Sequence, residues 1–317
     1  MQISDIGVLI IGFKRYQSIK TILEICHRNG VERIYLAIDG PRVDSESDKH
    51  DGRQIQLVVE EFRSRYNGKM ECWMRKENVG SAAAVLSACD WAFRNEQDLI
   101  VLEDDCIPSD DFFRFSLQGL GVMNSNTNIA MVCGSQFIPK GLSNNRWYLS
   151  KYPFIWGWAI TKTSWTTTVK AINDFRFSSR PQTVGLVEYQ YWKAGALRAL
   201  RGKVDAWDTP LAFALIGANR TSIHSPVNLV TNIGNDQAAT HTKELSSLLH
   251  RNAEVLESQT TDPVPNPDSD LWIKKNIFGI SPRHIITTRF TRVKDTLSNK
   301  ARFTSTLIKR WEAAKKI

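Results

Sequence analysis

The chain of 317 residues is 42% hydrophobic and 23% charged, which is typical of a globular protein with one large or two ordinary domains. Its net charge of +8 is confined to residues 281–317, where ten Lys and Arg stand against two acids, so the neutral body disfavours a nucleic-acid-binding protein. Five scattered cysteines without a C-x-x-C pair disfavour a disulfide scaffold or a cysteine zinc site and favour a protein of the reducing cytoplasm.

Strand-like and helix-like patterns alternate over residues 6–105. The first is an apolar run at residues 6–13, which predicts a buried strand. It is far shorter than the roughly 20 residues of a transmembrane helix and lacks the flanks of a signal peptide. Further strands are predicted at residues 33–38, around residues 72–74 and at residues 99–103, with helices at residues 17–29, 55–66 and 81–93. This alternation predicts an α/β fold with a parallel sheet covered by helices on both faces.

Charged side chains follow three of the predicted strands. Lys14 and Arg15 come after the first strand, Asp39 follows the second, and the acids at residues 103–105 follow the fourth. Because ligands bind at the carboxyl ends of the strands in such sheets, we expect these groups to surround one binding site.

The acidic triplet Glu103, Asp104 and Asp105 places three like charges side by side at the end of a hydrophobic strand. Carboxylate oxygens suit Mg²⁺ or Mn²⁺, which are commonly held by one or two carboxylates and completed by water and substrate phosphates. Simple solvation of a strand end is the alternative. Asp110 and Asp111 are expected to be structural, because negative charge suits the first turn of a helix.

The sequence contains no G-x-x-x-x-G-K-[ST] loop and no G-x-G-x-x-G after the first strand, where residues 12–15 read GFKR. A P-loop nucleotidase and a dinucleotide dehydrogenase are therefore disfavoured. A metal-bound diphosphate without either glycine loop is typical of an enzyme that uses nucleotide sugars.

The second half of the chain is rich in tryptophan and in turns. It contains FIWGWAI at residues 154–160, AWDTP at residues 206–210 and a polar, Pro-rich stretch at residues 260–270. We divide the chain into a main domain, a Pro-rich connector and a basic amphipathic C-terminal helix or tail. Their bounds are residues 1–245, 246–280 and 281–317.

The order of these motifs resembles that of the GT-A glycosyltransferases, and within them a bacterial group related to the N-acetylglucosaminyltransferase I type. The matching stretches cover roughly residues 6–245 and include LAIDGPR, ENVGSAAAV, LIVLEDDCIPSDDFFRF, FIWGWAITKTSW and DAWDTPLAF. The resemblance implies the GT-A fold, Rossmann-like with a mixed and mostly parallel sheet, here followed by a C-terminal helical extension. The acidic triplet takes the place of that family's DXD motif.

The resemblance also implies roles on the donor side of the site. Asp105, the last acid of the triplet, would bind the metal, while Glu103 and Asp104 would face the sugar and ribose of the donor. Asp39 would hydrogen-bond the nucleotide base, and Arg15 would support the donor phosphates. The implied cofactor is Mn²⁺ or Mg²⁺, and the implied donor is a nucleotide sugar, with a UDP-sugar favoured.

On the acceptor side, the resemblance implies that Trp156, Gly157 and Trp158 help to wall the site. Asp208 resembles the catalytic base of the family, an aspartate that follows a tryptophan. A threonine follows it where the family often has a second acid, so Asp205 is kept as the alternative base.

Three further polar residues were considered for the site. Asn78 either contacts the donor or caps the helix that starts near Ser81. His241 is a candidate ligand of the metal or diphosphate, because many GT-A enzymes carry a late histidine there, and a surface or packing histidine is the alternative. His224 is expected to be structural.

The reaction implied is metal-dependent, inverting transfer of a hexosyl or N-acetylhexosaminyl group from a nucleotide sugar to a glycan or lipid-linked acceptor. The setting implied is synthesis of a bacterial cell-surface polysaccharide such as capsule or lipopolysaccharide. One alternative is a nucleotidyltransferase that makes the nucleotide sugar, although such enzymes typically carry a glycine-rich phosphate loop after the first strand. Another is a non-catalytic glycan- or membrane-binding protein of the same fold.

The basic tail places apolar side chains of residues 285–311 along an approximate helical face, with Lys and Arg over much of the rest. A basic amphipathic stretch with a tryptophan is typical of a peripheral helix that binds anionic lipid. It would place a cytoplasmic enzyme on the inner face of the cell membrane. Docking on the main domain or on another subunit, and a disordered solubilising tail, are the alternatives.

Overall fold

The computed structural model describes residues 2–174, 180–234, 251–256, 262–281 and 305–316. Its strands are β1 (Gly7–Gly12), β2 (Arg33–Ile38), β3 (Lys69–Met74), β4 (Asp98–Glu103), β5 (Cys106–Pro108), β6 (Ile129–Cys133), β7 (Tyr148–Ser150), β8 (Trp158–Thr161), β9 (Thr221–His224), β10 (Val230–Asn232) and β11 (Val264–Pro265). Its α-helices are α1 (Tyr16–Arg28), α2 (Glu46–Arg63), α3 (Ser81–Ala92), α4 (Asp110–Ser125), α5 (Lys162–Asp174), α6 (Leu186–Leu200), α7 (Asp208–Gly217), α8 (Pro267–Asn276) and α9 (Thr306–Ala314).

The central sheet is mixed and mostly parallel. Within the described ranges its nine strands follow the order β11-β7-β9-β6-β8-β4-β1-β2-β3. Strands β3, β2, β1 and β4 pair in parallel, whereas β8 is antiparallel to both of its neighbours, β4 and β6. The predicted Rossmann-like α/β fold class is confirmed, together with a helix near the C-terminus.

The hydrophobic runs in the sequence became strands because both faces of the sheet are covered. Every residue of β1 is buried, and successive side chains of a strand point to opposite faces. Helix α3 contacts β1 and β2, and helix α4 contacts β4, β6 and β8. Helix α2 begins at Glu46, well before the predicted start near residue 55, because Ser45 caps it and its polar first half has no apolar face to detect.

Strand β8 brings the Trp-Gly-Trp segment to the carboxyl end of β4. Its antiparallel register pairs Trp158 with Val101, so the residues that precede β8 lie beyond the end of β4. Gly157 makes the turn into β8 with φ of +67°. A Cβ at this position would lie 2.5 Å from Val230 Cγ2, so both the backbone and the space require glycine here.

A second, two-stranded sheet lies beside the acidic triplet. Strand β5 follows directly after the triplet and pairs antiparallel with β10, which places Cys106 opposite Asn232. This pairing brings residues 230–234 next to the end of β4, across more than a hundred residues of sequence.

Residues 251–256 and 262–280, expected in a Pro-rich connector, contribute to the same folded unit. Strand β11 joins the edge of the sheet through β7, and helix α8 contacts β7. The Asn266 side chain accepts a hydrogen bond from the Ser269 amide at 3.0 Å, and Pro267 lies in the first turn. The Asn-Pro pair therefore marks a helix start rather than a linker.

The last described helix, α9, packs on α3 and α6. Its residues Leu307, Trp311 and Ala314 are buried. Docking on the main domain, one of the alternatives for the tail, is therefore what residues 305–316 do, and Trp311 has no exposed surface to offer a membrane. Residues 282–304 of the tail lie outside the described residues. No helix in the described part of the chain is long and apolar enough to cross a membrane.

Two glycines of α4 provide a matched test of how tightly this helix packs on the sheet. A Cβ on Gly119 would lie 2.6 Å from Val132 Cγ2, whereas a Cβ on Gly121 would have no heavy atom within 4 Å. We expect Gly119→Ala to lower the free energy of unfolding by about 1–3 kcal/mol, because the β-branched valine is stiff. Gly121→Ala should raise it by about 0.5–1 kcal/mol through helix propensity. Chemical denaturation measures both values, and equal effects would contradict this packing.

Candidate functional site

Asp104 joins the carboxyl ends of β1 and β4. Its side chain is buried, its Oδ2 accepts the Phe13 amide at 2.9 Å, and its Oδ1 accepts Arg15 Nη1 at 3.1 Å. The Arg15 amide also donates to Oδ2, at 3.5 Å. Asp104 therefore holds the turn that follows β1, a role that the sequence analysis did not assign to it.

Arg15 lies between the two aspartates of the triplet. Its Nη1 is 3.1 Å from Asp104 Oδ1 and 3.7 Å from Asp105 Oδ2. About a quarter of its side chain (26%) is exposed, so this cluster is open to solvent on one side. A partly exposed guanidinium offsets the like charges beside it and is well suited to bind a phosphate group.

Asp105 lies where β4 meets the small sheet. Its backbone carbonyl accepts the Ile233 amide at 2.9 Å. Asp105 Oδ2 and Asn232 Oδ1 both approach Gly234, where a Cβ would clash with the first and lie 3.1 Å from the second. The Gly234 amide donates to Asn232 Oδ1 at 2.8 Å and so fixes its orientation. Asn232 is a site residue that the sequence analysis missed, although the stretch NIGN at residues 232–235 contains it.

The electrostatics of the triplet favour protonation of two of its acids. Burial raises the pKa of Glu103 well above its ordinary value, and the charges of Asp105, Asp104 and Asp208 raise it further. Burial and the charge of Asp104 also raise the pKa of Asp105, while Arg15 opposes both shifts. The cluster holds more negative charge than one arginine offsets, which is the environment that a bound cation relieves.

The oxygen atoms at this end of β4 fit a hard divalent cation. Asp105 supplies a carboxylate and Asn232 an amide oxygen beside it. Mg²⁺ and Mn²⁺ take such a small oxygen set when phosphates and water complete the shell. Within the described residues, no group of three or more His, Cys, Asp or Glu side chains forms a metal site by itself. His241 lies outside the described residues.

Asp39, which follows β2, organises the loop that precedes α3. Its Oδ1 accepts the amides of Gly40 and Val79, and its Oδ2 accepts the Gly80 amide and Asn78 Nδ2, at 3.0–3.1 Å. A carboxylate has about four lone-pair positions, so these donors occupy its capacity. The hydrogen bond to a nucleotide base that the resemblance implies for Asp39 would require one of these donors to leave.

Helix α3 is capped by Asp205 and not by Asn78. The Ser81 amide donates to Asp205 Oδ2 at 2.9 Å. Asn78 Nδ2 instead donates to Asp39 Oδ2 and to the Gly40 carbonyl, both at 3.0 Å, so the capping alternative for Asn78 is wrong. Asp205, the alternative catalytic base, is engaged at the start of this helix.

Asp208 is the first residue of α7 and lies near the acidic triplet. Its charge contributes to the raised pKa of Glu103. The preceding Trp207 is buried against Trp158, with ring centroids 5.6 Å apart, which fixes where α7 begins. The charge of Asp208 thus acts on the triplet, whereas Asp205 accepts an amide at the start of α3.

The Trp-Gly-Trp segment divides between surface and core. Trp156 is partly exposed and packs edge-on against Phe137 with ring centroids 5.1 Å apart. Trp158, expected on the acceptor side, is fully buried and has no surface for an acceptor, because it lies in β8 inside the sheet. It supports Trp207 instead, while Gly157 makes the turn between the two tryptophans.

Three polar residues expected to be structural are confirmed as such. His224 is fully buried with Nε2 3.0 Å from the Tyr152 carbonyl, and burial lowers its pKa to about 3. Asp110 pairs with Arg28 at 2.8 Å, and Asp111 accepts a backbone amide at 2.8 Å.

No family model matches the chain, and no curated protein matches its sequence. Among solved structures it is similar to HddC from Yersinia pseudotuberculosis at 13% identity, covering 50% of this chain and 77% of HddC with a TM-score of 0.30. It is similar to glucosyl-3-phosphoglycerate synthase from Mycobacterium tuberculosis, in complex with Mn²⁺, UDP and glucosyl-3-phosphoglycerate, at 10% identity, 51% and 58% coverage and a TM-score of 0.33. It is also similar to UDP-glucose pyrophosphorylase complexed with UDP-glucose at 7% identity, covering 69% of this chain and 90% of that enzyme with a TM-score of 0.37. At these identities and TM-scores the similarity assigns neither a site nor an activity to this chain. Both have to be argued from the geometry of the chain itself.

Asp105→Asn is expected to stabilise the metal-free protein, raising Tm by about 2–4 °C, because it removes a partly buried charge that the neighbouring Asp104 repels. The pKa of Asp105 is raised in the folded state, so its ionised form destabilises the fold above that pKa. This destabilisation disappears as the pH falls below about 4, the pKa of aspartate in the unfolded chain. The variant and wild type should have the same Tm there. Differential scanning fluorimetry from pH 7 to pH 4 measures both effects.

Asp110→Asn is the matched control, because Asn29 and Arg28 hold the pKa of Asp110 below its ordinary value. It should not raise Tm, and Mn²⁺ should stabilise it as it stabilises wild type. Asp105→Asn should lose the Mn²⁺-dependent rise. A metal-free Asp105→Asn protein that is less stable than wild type at pH 7 would contradict the repulsion described above.

Proposed function

We propose that the protein is a divalent-metal-dependent, inverting glycosyltransferase that uses a nucleotide-sugar donor, with a UDP-sugar favoured. The observation that supports the proposal is the grouping of Asp105, Arg15 and Asn232 at the acidic end of β4, where the charge of Asp208 also raises the pKa of Glu103. This set can hold a metal and a diphosphate, and it has a further carboxylate nearby for the acceptor. The coarser basis is the Rossmann-like mixed sheet, whose strand ends provide the site.

The donor diphosphate would lie at the end of β4. Asp105 and Asn232 would hold Mn²⁺ or Mg²⁺, which would supply positive charge to stabilise the departing nucleoside diphosphate. Arg15 contributes a second positive charge from the turn after β1, where Asp104 fixes its backbone. The protein groups are thus placed in advance for a phosphate leaving group.

The nucleoside would lie against the loop at residues 77–80. Asp39 accepts hydrogen bonds from two backbone amides and the Asn78 side chain of this loop, so it defines the shape of the loop. We therefore assign Asp39 to holding the base pocket rather than to direct base recognition. Glu103 would face the donor sugar and ribose, whereas the oxygens of the buried Asp104 accept hydrogen bonds from the turn after β1.

Asp208 is the proposed general base. It would remove the proton from an acceptor hydroxyl while that oxygen attacks the anomeric carbon from the face opposite the diphosphate. A single displacement of this kind inverts the anomeric configuration, and Trp156 offers an aromatic surface beside the acceptor. Asp205 is excluded from this assignment because it accepts amides of α3.

The narrower parts of the proposal are supported by the order of sequence motifs. These parts are the relation to the N-acetylglucosaminyltransferase I type and a glycan or lipid-linked acceptor in bacterial cell-surface polysaccharide synthesis. Attachment to an anionic membrane stays a prediction, since Trp311 is buried in α9 and residues 282–304 of the basic stretch lie outside the described residues.

A nucleotidyltransferase would use the same strand ends with a different phosphate loop. Its backbone amides after the first strand would have to bind the triphosphate substrate. In this chain the Phe13 and Arg15 amides donate to Asp104 instead. This contact favours glycosyl transfer, in which the metal and side chains bind the diphosphate.

A screen of sugar nucleotides with and without Mn²⁺ tests the proposal directly. One donor, expected to be a UDP-sugar, should raise Tm only when Mn²⁺ is present, since binding at 100-fold above Kd adds about 2.7 kcal/mol to stability. Release of nucleoside diphosphate would identify glycosyl transfer or donor hydrolysis. Pyrophosphate formation from a nucleoside triphosphate and a sugar phosphate would identify the nucleotidyltransferase. Absence of stabilisation by every sugar nucleotide would exclude both enzymes.

Asp208→Asn should lower kcat about 10²–10⁴-fold and leave the Kd of the donor unchanged, because it removes only the proton acceptor. Steady-state kinetics and calorimetry of the same preparation measure the two quantities. Asp205→Asn is the control, three residues away, and it should keep kcat within a few-fold of wild type. A larger loss of kcat in Asp205→Asn than in Asp208→Asn would reverse the assignment of the base.

A further inference from the structure

The C-terminal helix reaches the loop that we assign to the nucleoside. Arg310 of α9 donates from Nη2 to the Val79 carbonyl at 2.6 Å. Its Nη1 lies 3.4 Å from Asp205 Oδ1, and Asp205 in turn accepts the Ser81 amide at 2.9 Å. One guanidinium therefore connects the end of the chain, the loop before α3 and the first turn of α3.

The same loop is held from two sides by opposite charges. Asp39 accepts the amides of Val79 and Gly80, and Arg310 donates to the Val79 carbonyl. The peptide groups around Val79 thus have their amides and their carbonyl bound by charged side chains. Such charge-assisted hydrogen bonds are stronger than those between neutral groups, so the pair determines the conformation of the loop.

Gly80 allows this close approach. Its φ of +82° lies in the left-handed region, and a Cβ there would clash with Arg310 Nη2 and lie 2.6 Å from an Asp205 oxygen. The backbone at Gly80 and the arginine therefore fit each other directly. In the sequence, Gly80 and Arg310 are 230 positions apart, so no local pattern predicts the contact.

We propose that Arg310 is a positioning residue of the donor site: it holds the Val79–Gly80 backbone in the conformation that binds the nucleoside, and it thereby contributes to base selectivity. This inference rests on the proposed nucleotide-sugar site. It makes the C-terminal helix part of substrate recognition rather than only a cover for α3 and α6.

Arginine is needed here for its shape as well as its charge. Its two Nη atoms bind acceptors on two different segments, the Val79 carbonyl and the Asp205 carboxylate. A lysine at this position carries one ammonium group on a flexible stem and does not offer the same planar fork. Arg310 is also about two-fifths exposed (41%), so its ion pair contributes little to global stability.

The experiment compares wild type, Arg310→Ala, Arg310→Lys and Lys309→Ala in the full chain. Lys309 is the matched control, because it is the exposed neighbour of Arg310 on the same helix and loses a positive charge in the same way. Isothermal titration calorimetry measures the Kd of UDP, GDP, CDP, ADP and dTDP in the presence of Mn²⁺. Thermal unfolding of each metal-free variant measures whether the fold is kept.

In Arg310→Ala we expect about ten-fold weaker binding of the preferred nucleotide, because one charge-assisted hydrogen bond is lost. The Tm should stay close to that of wild type. The other nucleotides should lose less affinity, so the ratio between the best and the second-best base should fall. Arg310→Lys should show the same fall in selectivity to a smaller degree. Lys309→Ala should keep the wild-type affinities.

Two results would overturn the inference while the proposed function stands. One is unchanged nucleotide affinity in Arg310→Ala, and the other is an equal loss for every nucleotide and for Lys309→Ala, which a general charge effect would produce. If wild type itself binds no nucleoside diphosphate with Mn²⁺, the proposed function fails and the inference fails with it. These outcomes are distinct because wild type and variants are titrated in the same series.

Discussion

The site depends on how the protein keeps three acids together at the end of a buried strand. Asp104 is stabilised by the turn after β1, since its oxygens accept two backbone amides and Arg15. This fixes Arg15 beside Asp105, where its charge offsets part of the repulsion. Burial and the remaining repulsion raise the pKa values of Glu103 and Asp105, which supports the proposed cation site. The hydrogen bonds of Asp104 therefore both order the turn after β1 and fix Arg15 beside Asp105.

At the end of β2, too, a buried carboxylate holds a loop by accepting its backbone amides. Asp39 accepts amides from its own turn and from the loop before α3, just as Asp104 accepts amides from the turn after β1. In both places a buried carboxylate replaces the regular pairing that ends with the strand. Acids at strand ends thus shape the loops of the site before any ligand arrives. Arg15 and Asn232, which the proposed function assigns to the phosphates and the metal, are by contrast partly exposed.

The sequence predicted what local patterns encode and missed what distant pairings create. The apolar runs of β1, β2 and β4 were sufficient to predict the parallel part of the sheet, and the place of the site at its strand ends stays a prediction. Asn232 could not be predicted, because only the pairing of β10 with β5 brings it to Asp105. Trp158 was misplaced for a related reason, since a fully buried tryptophan and a partly exposed one look alike in FIWGWAI.

The two aspartates of the segment DAWD show how the fold separates residues that the sequence could not rank. Asp205 accepts amides at the start of α3, a helix that begins 124 positions earlier in the chain. It also forms an ion pair with Arg310. Asp208 is itself the first residue of α7, where the unpaired amides of the helix favour a negative charge. That favourable field opposes the repulsion from Glu103. Because a general base has to be ionised to accept a proton, this position at the N-terminus of α7 supports the proposed assignment of the base to Asp208.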